Sequence, residues 1–407
     1  MIQLRDYQIE NAEKAANSLK TNKLAYLSMQ VRTGKTLTAL EAASIYGAKK
    51  VLIVTTKKAI GSIKSDYDLL NPDYSIELIN YESLHKITEE YDLIIADEAH
   101  KLGAYPKPSL RAKQLKLIVK NSSVLFLSGT PSPESYSQLY HQFWVSPFSP
   151  FLEKNFYTWA KSYVDVKKVM RNGFMTNNYA LAKKDLIESK TKHLFFSKTQ
   201  EEAGFNTTIT EKVLNVAMPD FIRIAIKTLK KDKIAVINDK EIVAETPAKL
   251  LTKLHQLSSG TIKDEEGNYH ILSDIKAQTI KETFRGQKIA IFYIFQAEKE
   301  MLMKTFPNYT ESPEEFQKSN DKVFLGQFVS AREGVRLDTA DALIFFNLMH
   351  SYLSYEQARN RLMSKERIQS APLYFVFSDC GIEKLIYKAV TGKKDFTLSY
   401  YKKYDHD

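Results

Sequence analysis

Short apolar runs alternate with helix-like stretches along almost all of this 407-residue chain, and no other feature restricts its fold as much. Residues 24–29, 49–56, 74–79, 91–96 and 123–127 read as buried strands. Between and before them, residues 3–20, 35–44, 57–70 and 109–119 carry apolar positions at helical spacing. Strands that alternate with helices call for a mostly parallel sheet with helices on both faces. A second series follows the same pattern. It has strands at 288–293, 323–328, 342–347 and 372–377, and helices at 272–284, 355–363 and 381–388, with a further helix ending at Met303. The expected fold is α/β, with two tandem parallel-sheet halves. The length exceeds that of one typical domain, and 43% apolar with 12% aromatic residues suffices for real cores.

The first lobe is expected over 1–200, with an insert at about 133–198 where the strand signal fades and aromatic residues and lysines dominate. Its aromatic and basic stretch, 143–171, reads either as a small core or as a strand-separating or DNA-gripping insert. Residues 201–245 are expected to connect the lobes, and 246–407 to form the second. Within the connector, a strand is expected at 211–218 and a helix at 220–230. A hairpin is expected around Asn238-Asp239.

The stretch 27–37 carries the chemistry of the first half. A buried strand runs into Met29-Gln-Val-Arg32-Thr33-Gly34-Lys35-Thr36, and a helix begins at Lys35. Strand, loop and helix in that order make a phosphate cradle from backbone N–H groups and a helix N-terminus. Gly34 permits close approach, Lys35 brings a mobile charge to terminal phosphates, and Thr36 offers a hydroxyl to Mg²⁺. Met29 stands where such loops usually begin with glycine, and Arg32 where many carry a second one. Farther on, Asp97-Glu98-Ala-His100 follows four apolar residues, so both acids emerge at a strand end. There Asp97 can hold Mg²⁺ and Glu98 can orient and deprotonate a water, which is what phosphoryl transfer requires besides charge neutralisation.

The formal net charge of +10 favours an anionic partner, nucleic acid first. The single cysteine, Cys380, rules out an internal disulfide framework and suits a reducing cytosol. No run of about 18 apolar residues is present, so a membrane span is not expected. A cytoplasmic location, in a bacterial cell or a phage-infected one, is the expectation.

Gly34-Lys-Thr36, Asp97-Glu-Ala-His100 and Ser128-Gly-Thr130-Pro131, in that order, resemble motifs I, II and III of superfamily 2 helicases and translocases. The second motif has the DEAH form. The likeness runs nearly end to end. Arg5-Asp-Tyr-Gln8 is similar to the glutamine motif, 54–58 stands in the place of motif Ia, and 80–84 resembles a segment of the Snf2-like branch. Residues 254–260 resemble that branch's approach to its second lobe. Residues 288–295 look like motif IV, 330–337 like motif V and 356–361 like motif VI.

The resemblance implies two RecA-like lobes with an ATP cleft between them. It implies Gln8 as the base contact, with Arg32, Thr33, Gly34, Lys35, Thr36 and Gly334 binding ATP, and Thr36 and Asp97 holding Mg²⁺. Glu98, Lys35, Arg361 and Arg367 are then the catalytic set, and His100, Ser128 and Thr130 the couplers. Thr56, Lys57, Lys58, Ser330 and Arg332 are the expected backbone contacts to nucleic acid. Motif VI departs from the family, since its second arginine position holds Ser364, with Lys365 and Arg367 nearby. The compact length resembles phage or mobile-element versions. The implied activity is that of a DNA-stimulated ATPase, a translocase or helicase on duplex or branched DNA. An RNA helicase and a nucleotide-gated DNA-binding module with weak hydrolysis are the alternatives.

Overall fold

Alternate residues of the strand Leu24–Met29 are buried on opposite sides of one sheet, and this period of two explains how the first half is built. Leu24 and Tyr26 join a core with Phe126, Phe143 and Trp159. Ala25, Leu27 and Met29 join another, with Ala12, Ala15, Ala39 and Ala43 from two helices. The small residues on those helices let them lie close to each other and to the sheet. The computed structural model describes residues 3–171, 174–205, 209–331, 337, 339–362 and 371–392, and the chain divides into two units, Met1–Gly204 and Phe205–Asp407. Among the described residues, no helix is long and apolar enough to cross a membrane.

The first unit runs α1 (Asp6–Asn22), β1 (Leu24–Met29), α2 (Lys35–Tyr46), β2 (Lys50–Thr55), α3 (Ile60–Leu70), β3 (Ser75–Asn80), β4 (Leu93–Ala96), α4 (Leu110–Val119) and β5 (Ser123–Leu127). It continues with α5 (Gln138–Trp144), α6 (Phe156–Tyr163), β6 (Lys167–Arg171), β7 (Phe174–Asn178), α7 (Lys184–Thr191) and β8 (Phe195–Lys198). Six strands form one parallel sheet in the order β3-β2-β4-β5-β1-β8. The register pairs Val54 with Ala96, Ala96 with Phe126, and Leu27 with Leu127. The C-terminal ends of β1, β2, β4 and β5 are therefore level, and the loops that follow them share one edge. Open α/β sheets bind ligands at that edge.

The second unit runs β9 (Ile209–Val216), α8 (Asp220–Asp232), β10 (Ile234–Ile237), β11 (Lys240–Val243), α9 (Pro247–Ser258), β12 (Thr261–Lys263), β13 (Tyr269–Ile271), α10 (Ile275–Thr283), β14 (Ile289–Tyr293) and α11 (Gln296–Thr305). Then come β15 (Tyr309–Thr310), α12 (Pro313–Lys318), β16 (Val323–Gln327), α13 (Phe328–Ala331), β17 (Ala342–Phe345), α14 (Tyr352–Arg359), β18 (Ala371–Ser378) and α15 (Glu383–Thr391). Its six-stranded sheet, order β15-β16-β14-β17-β18-β9, is also parallel. The α/β class and the two tandem parallel-sheet lobes expected from the sequence are what the chain adopts.

Residues 201–245 differ from expectation. They do not merely connect. β9 pairs with β18 over its whole length, and Val216, Ile222, Leu229, Ala235 and Ile242 lie in the second unit's core. The long register with β18 and the apolar face of α8 draw this segment into the sheet. The insert differs in contributing β8 to the first sheet, while much of its aromatic content makes the core that is one of its two readings, with Phe143, Phe151, Phe156 and Trp159 buried. The two-stranded ribbon β6–β7 within the insert is largely exposed.

Candidate nucleotide-phosphate site

The turn from β1 into α2 is held from three sides. Gly34 caps α2 with φ 86° and ψ 34°, a left-handed conformation that suits glycine. A Cβ there would lie 2.1 Å from Gln8 Nε2. Gln8 is buried, donates to the Gly34 carbonyl at 3.4 Å and accepts from the Arg5 N–H at 2.9 Å. Gln8, expected to contact a base, thus uses its amide here to tie α1 to the loop. The Tyr7 hydroxyl donates to the Thr33 carbonyl at 3.0 Å. Inside the loop, the Thr33 hydroxyl donates to the Gln30 carbonyl at 2.8 Å, and Arg32 sits at φ 67°.

The third support comes from far along the chain. The Gln200 N–H donates to Gln30 Oε1 at 2.7 Å, its side chain donates to the Val31 carbonyl at 2.9 Å, and the Gln30 N–H donates to the Lys198 carbonyl at 3.0 Å. Sequence reasoning missed Gln200, since only the pairing of β8 with β1 brings it to the loop. Lys35 Nζ donates to the Met29 carbonyl at 2.9 Å, so the ammonium lies over the loop it follows. Thr36 is in the first turn of α2, half-buried. Among the candidate residues here, the loop, Lys35 and the first turn of a twelve-residue helix offer the donors that a phosphate chain requires.

Asp97 and Glu98 emerge from the end of β4 beside this loop. The Asp97 carboxylate accepts from the Thr55 hydroxyl at 2.7 Å, and its carbonyl accepts from the Tyr81 hydroxyl at 2.6 Å. Thr55 and Tyr81 were not singled out from sequence; Thr55, as the last residue of β2, lies level with Asp97. Burial, and then the charge of Glu98, push the Asp97 carboxyl up, against the Thr55 hydrogen bond and the charge of Lys35. Burial also acts to raise Glu98, but the hydrogen bond and charge of His100, with Lys35 and Lys101, outweigh it and hold that carboxyl down. The two adjacent acids are thereby separated in character. Glu98 stays ionised, and Asp97 is a carboxylate that gains from a nearby cation. Glu98 itself takes a left-handed backbone at φ 50°, a strain found at sites where a side chain must be aimed.

His100, Ser128 and Thr130 form a chain. His100 Nδ1 lies 3.2 Å from Glu98 Oε2 and 3.0 Å from Ser128 Oγ, and the Thr130 N–H donates to that same oxygen at 3.1 Å. His100 and Ser128 are both buried. Gly129 lies against the loop between β1 and α2, where an added Cβ would sit 3.4 Å from the Met29 carbonyl oxygen. Gln142 extends the chain, donating to the Pro131 carbonyl at 2.7 Å and accepting from the Tyr26 hydroxyl at 2.7 Å.

Thr56, half-buried, and the exposed Lys57 and Lys58 follow the end of β2. In the second unit, Ser330 donates to Gln327 Oε1 at 3.2 Å. Arg361 is buried in the 3-10 turn Asn360–Leu362 that ends α14. Its helix is fixed by Glu211 of β9, which accepts from Tyr355 at 2.6 Å, Arg359 at 2.7 Å and Tyr387 at 2.9 Å. Arg332, Gly334 and Arg367 lie outside the described residues.

No family model matches this chain, and no curated protein matches it. Among solved structures it is similar to the SWI2/SNF2 ATPase core domain of Sulfolobus solfataricus. The likeness has 16% identity and a TM-score of 0.45, and covers 99% of this chain and 90% of that one.

Proposed function

We propose that the protein is a nucleic-acid-stimulated ATPase that couples hydrolysis to movement along duplex or branched DNA. The observation that carries the reading is one network in the first unit. In it the loop Gln30–Gly34, the pair Asp97/Glu98 and the pair His100/Ser128 meet at the C-terminal edge of a parallel sheet. Loop amides, Lys35 and the start of α2 would hold the phosphates of ATP, with Mg²⁺ on Thr36 and Asp97. The bound metal would supply charge neutralisation on the transferred phosphoryl group. Glu98, kept ionised and aimed by its turn, is the base for the attacking water. His100 reports the state of Glu98 to Ser128, and through Ser128 to the backbone of Thr130 and Pro131. Arg361 is assigned a charge-neutralising part in catalysis from its match to motif VI, and Glu211 anchors its helix through Tyr355 and Arg359.

The partner is assigned from the basic balance of the chain and the exposed Lys57 and Lys58, which suit contacts to a phosphate backbone without sequence preference. The test is a panel of duplex, forked, four-way-junction and single-stranded DNA and of RNA, scored for both ATP hydrolysis and strand displacement. Stimulation by duplex or branched DNA is expected. Stimulation by RNA alone would replace this reading with that of an RNA helicase.

A further inference from the structure

The ribbon β6–β7 has no core of its own. It pairs Lys167 with Asn178, Lys168 with Asn177, Val169 with Thr176 and Met170 with Met175, and an isolated two-stranded ribbon is marginal in water. Its apolar side chains face solvent, with Met170 67%, Phe174 75% and Met175 58% exposed. The charged residues of the ribbon itself are Lys167, Lys168 and Arg171, while Lys183 and Lys184 beyond it pair with Asp165 and Glu188. Exposed ring and thioether groups set among cations, with the amides of Asn177 and Asn178 alongside, match a partner that offers both anionic charge and flat apolar faces.

The base of the ribbon is fastened to the coupling chain. The Ser135 hydroxyl donates to the Ala180 carbonyl at 2.7 Å, and the Ser137 hydroxyl to the Tyr179 carbonyl at 2.6 Å. Ser135 and Ser137 lie in the loop that continues from Thr130 and Pro131. A cavity of about 450 Å³ opens between Asn177–Ala180 and His100 with the segment Gly103–Pro106. Gly103 is packed so closely that a Cβ would meet the Gln138 carbonyl oxygen at 2.8 Å. One contiguous route thus joins the ribbon to His100, through Ser135, Ser137 and the loop back to Ser128, and Gly103 packs against Gln138 just beyond that loop.

From this arrangement we infer that β6–β7 is a nucleic-acid wedge. Phe174, Met170 and Met175 stack on bases at a junction between paired and unpaired DNA, and Lys167 and Lys168 hold the adjacent phosphates. The inference rests on the ATPase reading for its coupling but not for its binding. The test places the photoreactive residue p-benzoylphenylalanine at Phe174 in the full chain and irradiates it with a labelled DNA fork. Capture of nucleotides next to the junction is expected. Capture only of a second copy of the chain, or of phosphatidylserine vesicles offered in parallel, would overturn the assignment, as would no capture.

The triple variant Met170→Ala/Phe174→Ala/Met175→Ala should lower strand displacement per ATP hydrolysed at least tenfold, with thermal unfolding as the control for folding. An unchanged ratio would sink the wedge. Lys167→Glu/Lys168→Glu should weaken fork binding at least fivefold and make its salt dependence shallower; unaltered binding and salt dependence would contradict the phosphate contacts. If no nucleic acid stimulates hydrolysis, the ATPase reading fails while capture and binding still decide the ribbon.

Discussion

Gly34 shows how one residue decides the shape of the turn from β1 into α2. Its φ of 86° and the nearness of Gln8 impose two separate constraints. Gly34→Ala is expected to destabilise the first unit by about 2 kcal/mol and to weaken nucleotide binding. Adding Gln8→Ala should recover the part due to the clash but not the part due to φ, which denaturant unfolding of the single and double variants would resolve. The residues nearest the proposed chemistry, Gly34, Lys35, Asp97, Glu98 and His100, were legible because each follows a buried strand at short range. Gln200 was not legible. Nothing near it in sequence marks it, and 170 positions separate it from Gln30. Thr55 and Tyr81 were hidden in the same way, since only strand register brings them to Asp97.

At the scale of elements, buried strands and the Asn238-Asp239 hairpin were readable because apolar period and turn chemistry are local; both turn residues have positive φ. The ribbon β6–β7 was not read, although Asn172-Gly173 stands between its strands, because mixed polar and apolar residues with both faces in solvent give no clean alternation. β9 was recognised as a strand, but its membership in the second sheet depends on β18, which lies far along the chain. Glu211 on β9 gathers Tyr355, Arg359 and Tyr387 and so joins three elements. Glu211→Ala should lower the unfolding free energy of the second unit by about 2 kcal/mol, leaving donors without their acceptor, as read by urea unfolding.

His350 gives that unit a pH dependence. Burial lowers its pKa to about 4, and it stacks on His255, which burial and His350 also push down. The unfolded chain therefore takes up protons between about pH 6.5 and pH 4 that the folded one refuses, and stability falls as pH falls through that window. The buried Glu298 nearby, with its pKa raised, opposes this in part. His350→Phe should remove about 2 kcal/mol of the loss between pH 7 and pH 5, measured by urea unfolding at both values.

For the whole molecule, the tandem parallel sheets give each unit a C-terminal edge where ligands can bind. In the first unit that edge carries a loop, a cation, two acids of opposed character and a histidine set between Glu98 and Ser128. The basic balance of the chain adds an expectation about partners. DNA affinity should fall steeply with salt, and Lys57→Ala/Lys58→Ala should weaken binding about equally on unrelated DNA sequences, as fluorescence anisotropy would report. The central claim is that Glu98 activates water at an ATP site set up by Lys35 and Asp97. Single-turnover ATP hydrolysis with saturating forked DNA tests it most directly. The wild-type rate should exceed that of Glu98→Gln at least a hundredfold while both bind ATP alike; equal rates in the two would contradict the account.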